Sequence, residues 1–140
     1  MDLLYDIALS FLNIPYVWGG KNPVQGLDCS GLTQCILSSV GLGPIGITTA
    51  QGIHDYFLKQ GGVRSDPKLG SLAFFGDIQR IHHVGFCLDS LRMIESAHGD
   101  QTITNKAVAA LKGAYVKVSP INRLPDLFAI IMPDYRPVGL

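Results

Sequence analysis

The four residues Asp28-Cys29-Ser30-Gly31 constrain this chain more than any other stretch. A turn-rich run, Tyr16-Val17-Trp18-Gly19-Gly20, precedes them, and Leu32, Ile36 and Val40 follow at helical spacing. A helix therefore starts at or beside Cys29 and runs to about Val40, where Gly41 and Gly43-Pro44 stop it. Unpaired N–H groups at a helix start, with the positive end of its dipole, favour thiolate over thiol and make a cysteine there a usable nucleophile. Asp28 can cap the same end, and Gly31 removes a side chain where another backbone or a substrate comes close. Position alone fits a buried structural cysteine equally well, since free Cys is often buried.

The remaining elements come as helices first and strands later. Leu3, Leu4, Ile7, Ala8, Phe11 and Leu12 form an apolar stripe, with Asp2 placed to cap it and Pro15 beyond its end. Residues Gly19 to Leu27 hold three glycines and Pro23 without periodicity, so they read as a loop wrapping the approach to Cys29. Thr48 or Thr49 caps a third helix in which Ile53, Phe57 and Leu58 face inward, and Gly61-Gly62 end it. From Gly70 the period changes to that of strands, at Ser71–Phe75, His83–Leu88, Met93–Ser96, Tyr115–Val118 and Phe128–Met132, with a short helix over Asn105–Lys112. Helices followed by an antiparallel sheet predict an α+β fold, as one domain over residues 1–140.

Hydrophobic residues make up 47% and charged residues 16%, which suits a packed core and not a disordered chain. Eleven basic and eleven acidic residues cancel, so no electrostatic case exists for nucleic acid or an anionic membrane as partner. Three cysteines are odd in number and too few for a disulfide framework. The first residues show neither a signal peptide nor a membrane span, so delivery by something other than ordinary secretion is expected. No C-x-x-C or H-E-x-x-H spacing occurs and no phosphate-binding glycine loop follows a strand, so neither a metal nor a cofactor is expected.

A thiolate nucleophile needs a proton acceptor that later donates, and a third group to fix the imidazole tautomer. The histidines are His54, His82, His83 and His98. His54 has polar neighbours on its helix face and reads as solvated. His82 and His83 are adjacent in a strand and point to opposite faces, so only one can meet Cys29.

Taken together, Tyr16-Val17-Trp18-Gly19-Gly20, Pro23, Asp28-Cys29-Ser30-Gly31-Leu32 and His83-Val84-Gly85-Phe86 resemble the NlpC-type cysteine peptidases of bacterial cell walls, from about residue 10 to residue 96. The resemblance implies a papain-like arrangement, with the Cys29 helix packed on a sheet that carries the histidine. It selects His83, directly before Val84-Gly85, as the base and leaves His82 at the surface; Gly85 would leave space beside the imidazole for substrate. Relatives commonly place a histidine twelve positions after the base, where this chain has Glu95. A turn of odd length near Asp89-Ser90-Leu91 would set Glu95 diagonal to His83, whereas a two-residue turn at Ser90-Leu91 would pair His83 with His98. Glu95 is preferred, because a carboxylate can accept from the imidazole and stabilise the imidazolium.

Tyr16 matches the family tyrosine near the cysteine; its phenol could meet substrate or a developing oxyanion, or simply pack under the loop. In the resemblance Asp28 and Ser30 line the pocket for a free substrate amine, though Asp28 could be only a cap. The implied activity is hydrolysis of an amide in peptidoglycan stem peptides, usually between D-glutamate and a diamino acid. Amidase or acyl-transfer chemistry, as in an injected antibacterial effector, and an inactive structural tail component are the alternatives. Residues 96–104 and 114–123 resemble the versions carried by phages and phage-like particles. That implies an enzyme made in the bacterial cytoplasm, held in a tail, with tail proteins as partners.

Overall fold

A computed structural model describes residues 2–43 and 46–140; Pro44, expected to help stop the second helix, lies outside them. The first helix, α1 (Asp2–Leu9), gives way to turns that carry the chain to Asn13. It buries Leu4 and Ala8 against the core, but Leu3 and Leu12, expected inward, are exposed. The helix ends before Leu12 can come round onto the packed face. Asp2 is the first helical residue instead of a cap before the helix.

The expected loop before Cys29 contains a small hairpin, β1 (Lys21–Asn22) against β2 (Gly26–Leu27). Its turn is closed by the Asn22 side chain, which accepts from the Gln25 N–H at 2.9 Å. Strands of two residues show no periodicity, which is why composition alone reads as loop. Helix α2 (Cys29–Ser39) follows, with Asp28 as N-cap accepting from the Gly31 N–H at 2.7 Å. A Cβ on Gly31 would lie 2.1 Å from the Gly20 carbonyl oxygen. That carbonyl also accepts from the Asp28 N–H at 3.1 Å, so Gly31 lets the Gly19-Gly20 turn lie directly on the start of α2.

Helix α3 (Ala50–Lys59) is capped by Thr49, whose hydroxyl accepts from the Gly52 N–H at 3.0 Å. It ends at Gly61, with φ +86°, and the Gly62 N–H returns to the Phe57 carbonyl at 2.7 Å. Its buried arc is Ala50, Ile53, His54 and Phe57. Leu58 lies about a quarter-turn from the centre of that arc and is exposed, contrary to the expectation. His54, expected to be solvated, is buried edge-on to Phe74, with ring centroids 5.1 Å apart.

Six strands form one sheet: β3 (Val63–Arg64), β4 (Leu72–Gly76), β5 (Ile81–Cys87), β6 (Arg92–Ala97), β7 (Tyr115–Pro120) and β8 (Leu127–Met132). Their spatial order is β3-β8-β4-β5-β6-β7, with antiparallel neighbours throughout. The short exposed strand β3 has no counterpart in the sequence reading. Between β6 and β7 lies α4 (Lys106–Lys112), capped by the Asn105 side chain and ended by Gly113 at φ +63°. The fold class is α+β, as expected.

Helices α2 and α3 cover one sheet face, closing a core that includes Phe57, Leu72, Phe74, Phe86, Ile94 and Ile131. On the opposite face a smaller cluster of Ala73, Phe75, Cys87 and Met93 packs under Ile121. A third cluster joins Tyr16 to Ile103, Ala109 and Ala114. It fixes the 13–20 segment beside β7, where the Tyr16 N–H donates to Ala114 at 3.1 Å and the Val116 N–H to Ile14 at 2.8 Å. No described helix is long and apolar enough to cross a membrane.

Gly31→Ala should lower stability by about 1–3 kcal/mol, because the clash is with backbone that cannot yield without losing the Asp28 bond. The exposed Ser38→Ala on the same helix should stay within about 0.5 kcal/mol. Urea denaturation of the two variants checks this, and equal midpoints would refute it.

Candidate active site

The register of β5 and β6 decides which side chain meets His83. Phe86 pairs with Ile94 and Cys87 with Met93, across a turn in which the Leu88 N–H donates to the Arg92 carbonyl at 2.9 Å. Continued, this register sets Glu95 opposite Gly85, one diagonal step from His83, as the odd turn predicts. Beyond Phe86 and Ile94 the bridge between the strands is made by side chains: His83 Nε2 lies 2.7 Å from Glu95 Oε1. His98 lines the same cleft, exposed and at φ +62°, and among the described residues makes no hydrogen bond to the imidazole.

Glu95 has no solvent exposure at all, and an isolated carboxylate there would be costly. A residue the sequence reading missed compensates it. Arg123, in the turn after β7, donates Nε to Oε2 at 2.6 Å and Nη2 to Oε1 at 2.7 Å, a bidentate pair. No periodicity or motif marks this arginine; only folding brings it back over β6.

Burial opposes ionisation of Glu95, but hydrogen bonds from His83 and Arg123, and the charge on His83, outweigh it and hold the carboxyl down at about 2. Burial likewise opposes charge on His83, yet its hydrogen bonds to Cys29 and Glu95 and their negative charges raise it to about 9. With Nε2 engaged by Glu95, Nδ1 is the nitrogen left for Cys29. Cys29, at the first position of α2, shares with His83 an open cleft of about 320 Å³, with Tyr16, Trp18, His98 and Arg123 on its walls.

Tyr16 is buried and also lines the cleft that holds Cys29. Its ring lies so close to Gly99 that a Cβ there would stand 2.0 Å from it. Burial first, then the charges of Cys29, Asp28 and Asp100, push its phenol well above the usual tyrosine range, so it stays a neutral O–H donor beside Cys29.

Asp28 and Ser30 do not line the cleft. Lys21, also missed from the sequence, holds them: its Nζ donates to Asp28 Oδ1 at 2.8 Å, to Oδ2 at 2.9 Å and to Ser30 Oγ at 2.7 Å. The ammonium expected from a substrate is supplied by the chain itself. Gly85 is also reassigned, since a Cβ there would lie 2.5 Å from Met93 Sδ; the space belongs to the core beneath and not to substrate. His82 is half-exposed, as expected, and pairs with Asp126 at 2.6 Å. Among the described residues no group of three or more His, Cys, Asp or Glu side chains is placed to hold a metal ion.

A thiol, an imidazole and a buried carboxylate in line can run acyl transfer through a covalent thioester. The sequence profile of the NlpC/P60 family matches residues 13–120. The bifunctional muramidase/DL-endopeptidase CwlT of Bacillus subtilis is 38% identical over 95 residues, covering 64% of this chain and 27% of that protein. The gamma-D-glutamyl-L-lysine dipeptidyl-peptidase of Bacillus cereus is 32% identical over 108 residues, covering 73% and 30%. The chain thus spans under a third of the length of either. The NlpC/p60 domain of the peptidoglycan hydrolase SagA superposes with a TM-score of 0.64 at 27% identity, covering 91% of this chain and 94% of that one. RipD of Mycobacterium tuberculosis, described as a non-catalytic NlpC/p60 domain protein, gives 0.66 at 20% identity, covering 95% of each.

Iodoacetamide near neutral pH should alkylate Cys29 well before Cys35 or Cys87, because burial raises both of those thiols, Cys87 to about 11, and Cys87 is wholly enclosed. Peptide mapping of briefly labelled folded protein reads the order. Equal labelling of all three would refute a selectively reactive Cys29.

Proposed function

Because the chain belongs to the NlpC/P60 family, we propose that it is a cysteine endopeptidase hydrolysing an amide bond in peptidoglycan stem peptides, between a D-glutamyl residue and the diamino acid that follows. The observation that carries this reading is that Cys29 and His83 line one open cleft, with His83 hydrogen-bonded at 2.7 Å to the enclosed Glu95. Fold alone would not, since RipD has the same fold and is described as non-catalytic. The names of the two Bacillus relatives support the bond class.

In this mechanism the Cys29 thiolate attacks the scissile carbonyl. The oxyanion faces the Cys29 N–H, which as a first-turn amide has no intrahelical acceptor, and the Tyr16 O–H. His83, held as imidazolium by Glu95, gives its proton to the leaving amine. Water then attacks the thioester while His83 takes back a proton, and the free acid leaves. Lys21 favours internal cleavage over removal of a terminal dipeptide. Asp28 and Ser30, which the resemblance assigns to a free substrate amine, are already satisfied by its ammonium.

The imidazolium is present below about pH 9 and lost above it, so kcat/KM should fall as pH rises through that value. Glu95→Gln removes a charge that raises His83; it should cost about ten- to a hundredfold in turnover and move the alkaline limb to lower pH, while His98→Ala stays mild. Digestion of defined muropeptides followed by mass spectrometry, with Cys29→Ala as blank, measures both. The reverse ranking would assign the orienting role to His98.

Delivery on a phage tail or phage-like particle is part of the same proposal. A chain without net charge has little bulk attraction to a charged wall, so a carrier that holds it there raises its effective concentration. At equal enzyme concentration, particle-associated protein should clear purified sacculi faster than free protein. Free protein that binds tightly and clears as fast would refute the tail-borne reading.

A further inference from the structure

Trp18 is used by neither the core nor the catalytic line. It is the chain's one tryptophan, and 54% of its surface is exposed. An exposed indole on a loose loop would mean little, but this one stands on a pinned turn. The Trp18 backbone N–H donates to the Ile103 carbonyl at 2.8 Å, and the Gly20 N–H donates to the Val17 carbonyl at 2.8 Å. A rigid aromatic loses little conformational freedom when something settles on it.

The indole borders two concavities at once. On one side is the cleft that holds Cys29 and His83. On the other is a separate open groove of about 700 Å³ between the Val17–Gly20 turn and the start of α4, edged by Gln25, Thr104, Asn105, Lys106 and Ala107. That volume is within the ordinary range for small-ligand sites. Its edge offers amide, hydroxyl and ammonium groups and no acidic side chain, beside an open aromatic face. This is the chemistry that suits a neutral, hydroxyl- and acetamide-bearing ring, whose C–H face lies on the indole while its polar edge finds hydrogen bonds. A free carboxylate-seeking or strongly cationic site would look different, since only Lys106 is charged.

We propose that Trp18 and this groove form a saccharide subsite that binds an N-acetylhexosamine unit of the glycan attached to the stem peptide, continuous with the peptide-cleaving cleft. The proposal rests on the peptidase reading for the identity of the attached peptide, though not for sugar binding itself. It makes Trp18 a specificity residue: the enzyme distinguishes a stem still on its glycan from one set free.

Two measurements test it. The first needs no turnover. The lone tryptophan reports directly on the groove, so titrating Cys29→Ala protein with a β-1,4-linked N-acetylglucosamine tetramer should give a saturable blue shift of its emission. Emission that does not change at any concentration overturns the proposal. The second compares disaccharide-bearing muropeptides with the same stem peptides stripped of sugar. Trp18→Ala should lower kcat/KM on the former by about tenfold more than on the latter, with Trp18→Phe intermediate. Equal losses on both substrates, or none on either, would overturn it, and circular dichroism of each variant separates misfolding from lost recognition. Cleavage of neither substrate by the unaltered enzyme, with the fluorescence shift present, would instead sink the peptidase reading and leave the subsite standing.

Discussion

The carboxylate of Glu95 sits without solvent contact, and much of the site follows from how that charge is satisfied. It takes a bidentate guanidinium from Arg123 and the imidazole of His83. Breaking a buried pair by removing one partner typically costs about 3–5 kcal/mol, because the charge left behind has no water to turn to. The three groups therefore hold one another in place. They also join three segments far apart in sequence: β5 through His83, β6 through Glu95, and the turn after β7 through Arg123. The imidazole is oriented by the same interaction that closes this part of the sheet, so the site's geometry and the local stability are hard to separate.

Cys29 is presented by a second set of constraints, backbone rather than ionic. Asp28 caps α2, receives Lys21 and donates its own N–H to Gly20, while Gly31 admits the Gly20 carbonyl at a distance no side chain would allow. Three of the four residues in the Asp28-Cys29-Ser30-Gly31 string thus do structural work, and only Cys29 faces the cleft. Ser30 shows this most plainly: its hydroxyl is enclosed between Asp28, Lys21 and the Thr48 carbonyl. The string is short because one tight turn, one cap and one cleft-facing cysteine must coincide within a single helical turn.

The strands, the capped helices and the Cys29 helix were legible in the sequence because each depends on neighbours within a few residues. Thr49 and Asp28 cap the helices their positions announce, and five of the six strands of the main sheet fall on short strand-like runs set between turn residues. Even the pairing of His83 with Glu95 could be set up as one of two registers, since a strand's faces alternate strictly and the turn length fixes which residues meet.

What the sequence could not supply was any partner whose position depends on the completed fold. It marked Asp28, Ser30 and Glu95 as polar and potentially chemical, but Lys21 and Arg123, which neutralise them, come from a two-residue strand and a single turn that carry no periodic signal. His54 looked solvated from its own helix, and only the arrival of Phe74 from β4 enclosed it. Gly85 looked like room for substrate until Met93 filled it from the next strand. The sequence by itself determined the helix that begins at Cys29 and the alternation that puts His82 and His83 on opposite faces, because these are local consequences of backbone geometry. The tertiary structure decided which charges are paired, which side chains are enclosed and which of them reach the cleft, because those depend on contacts between residues tens of positions apart.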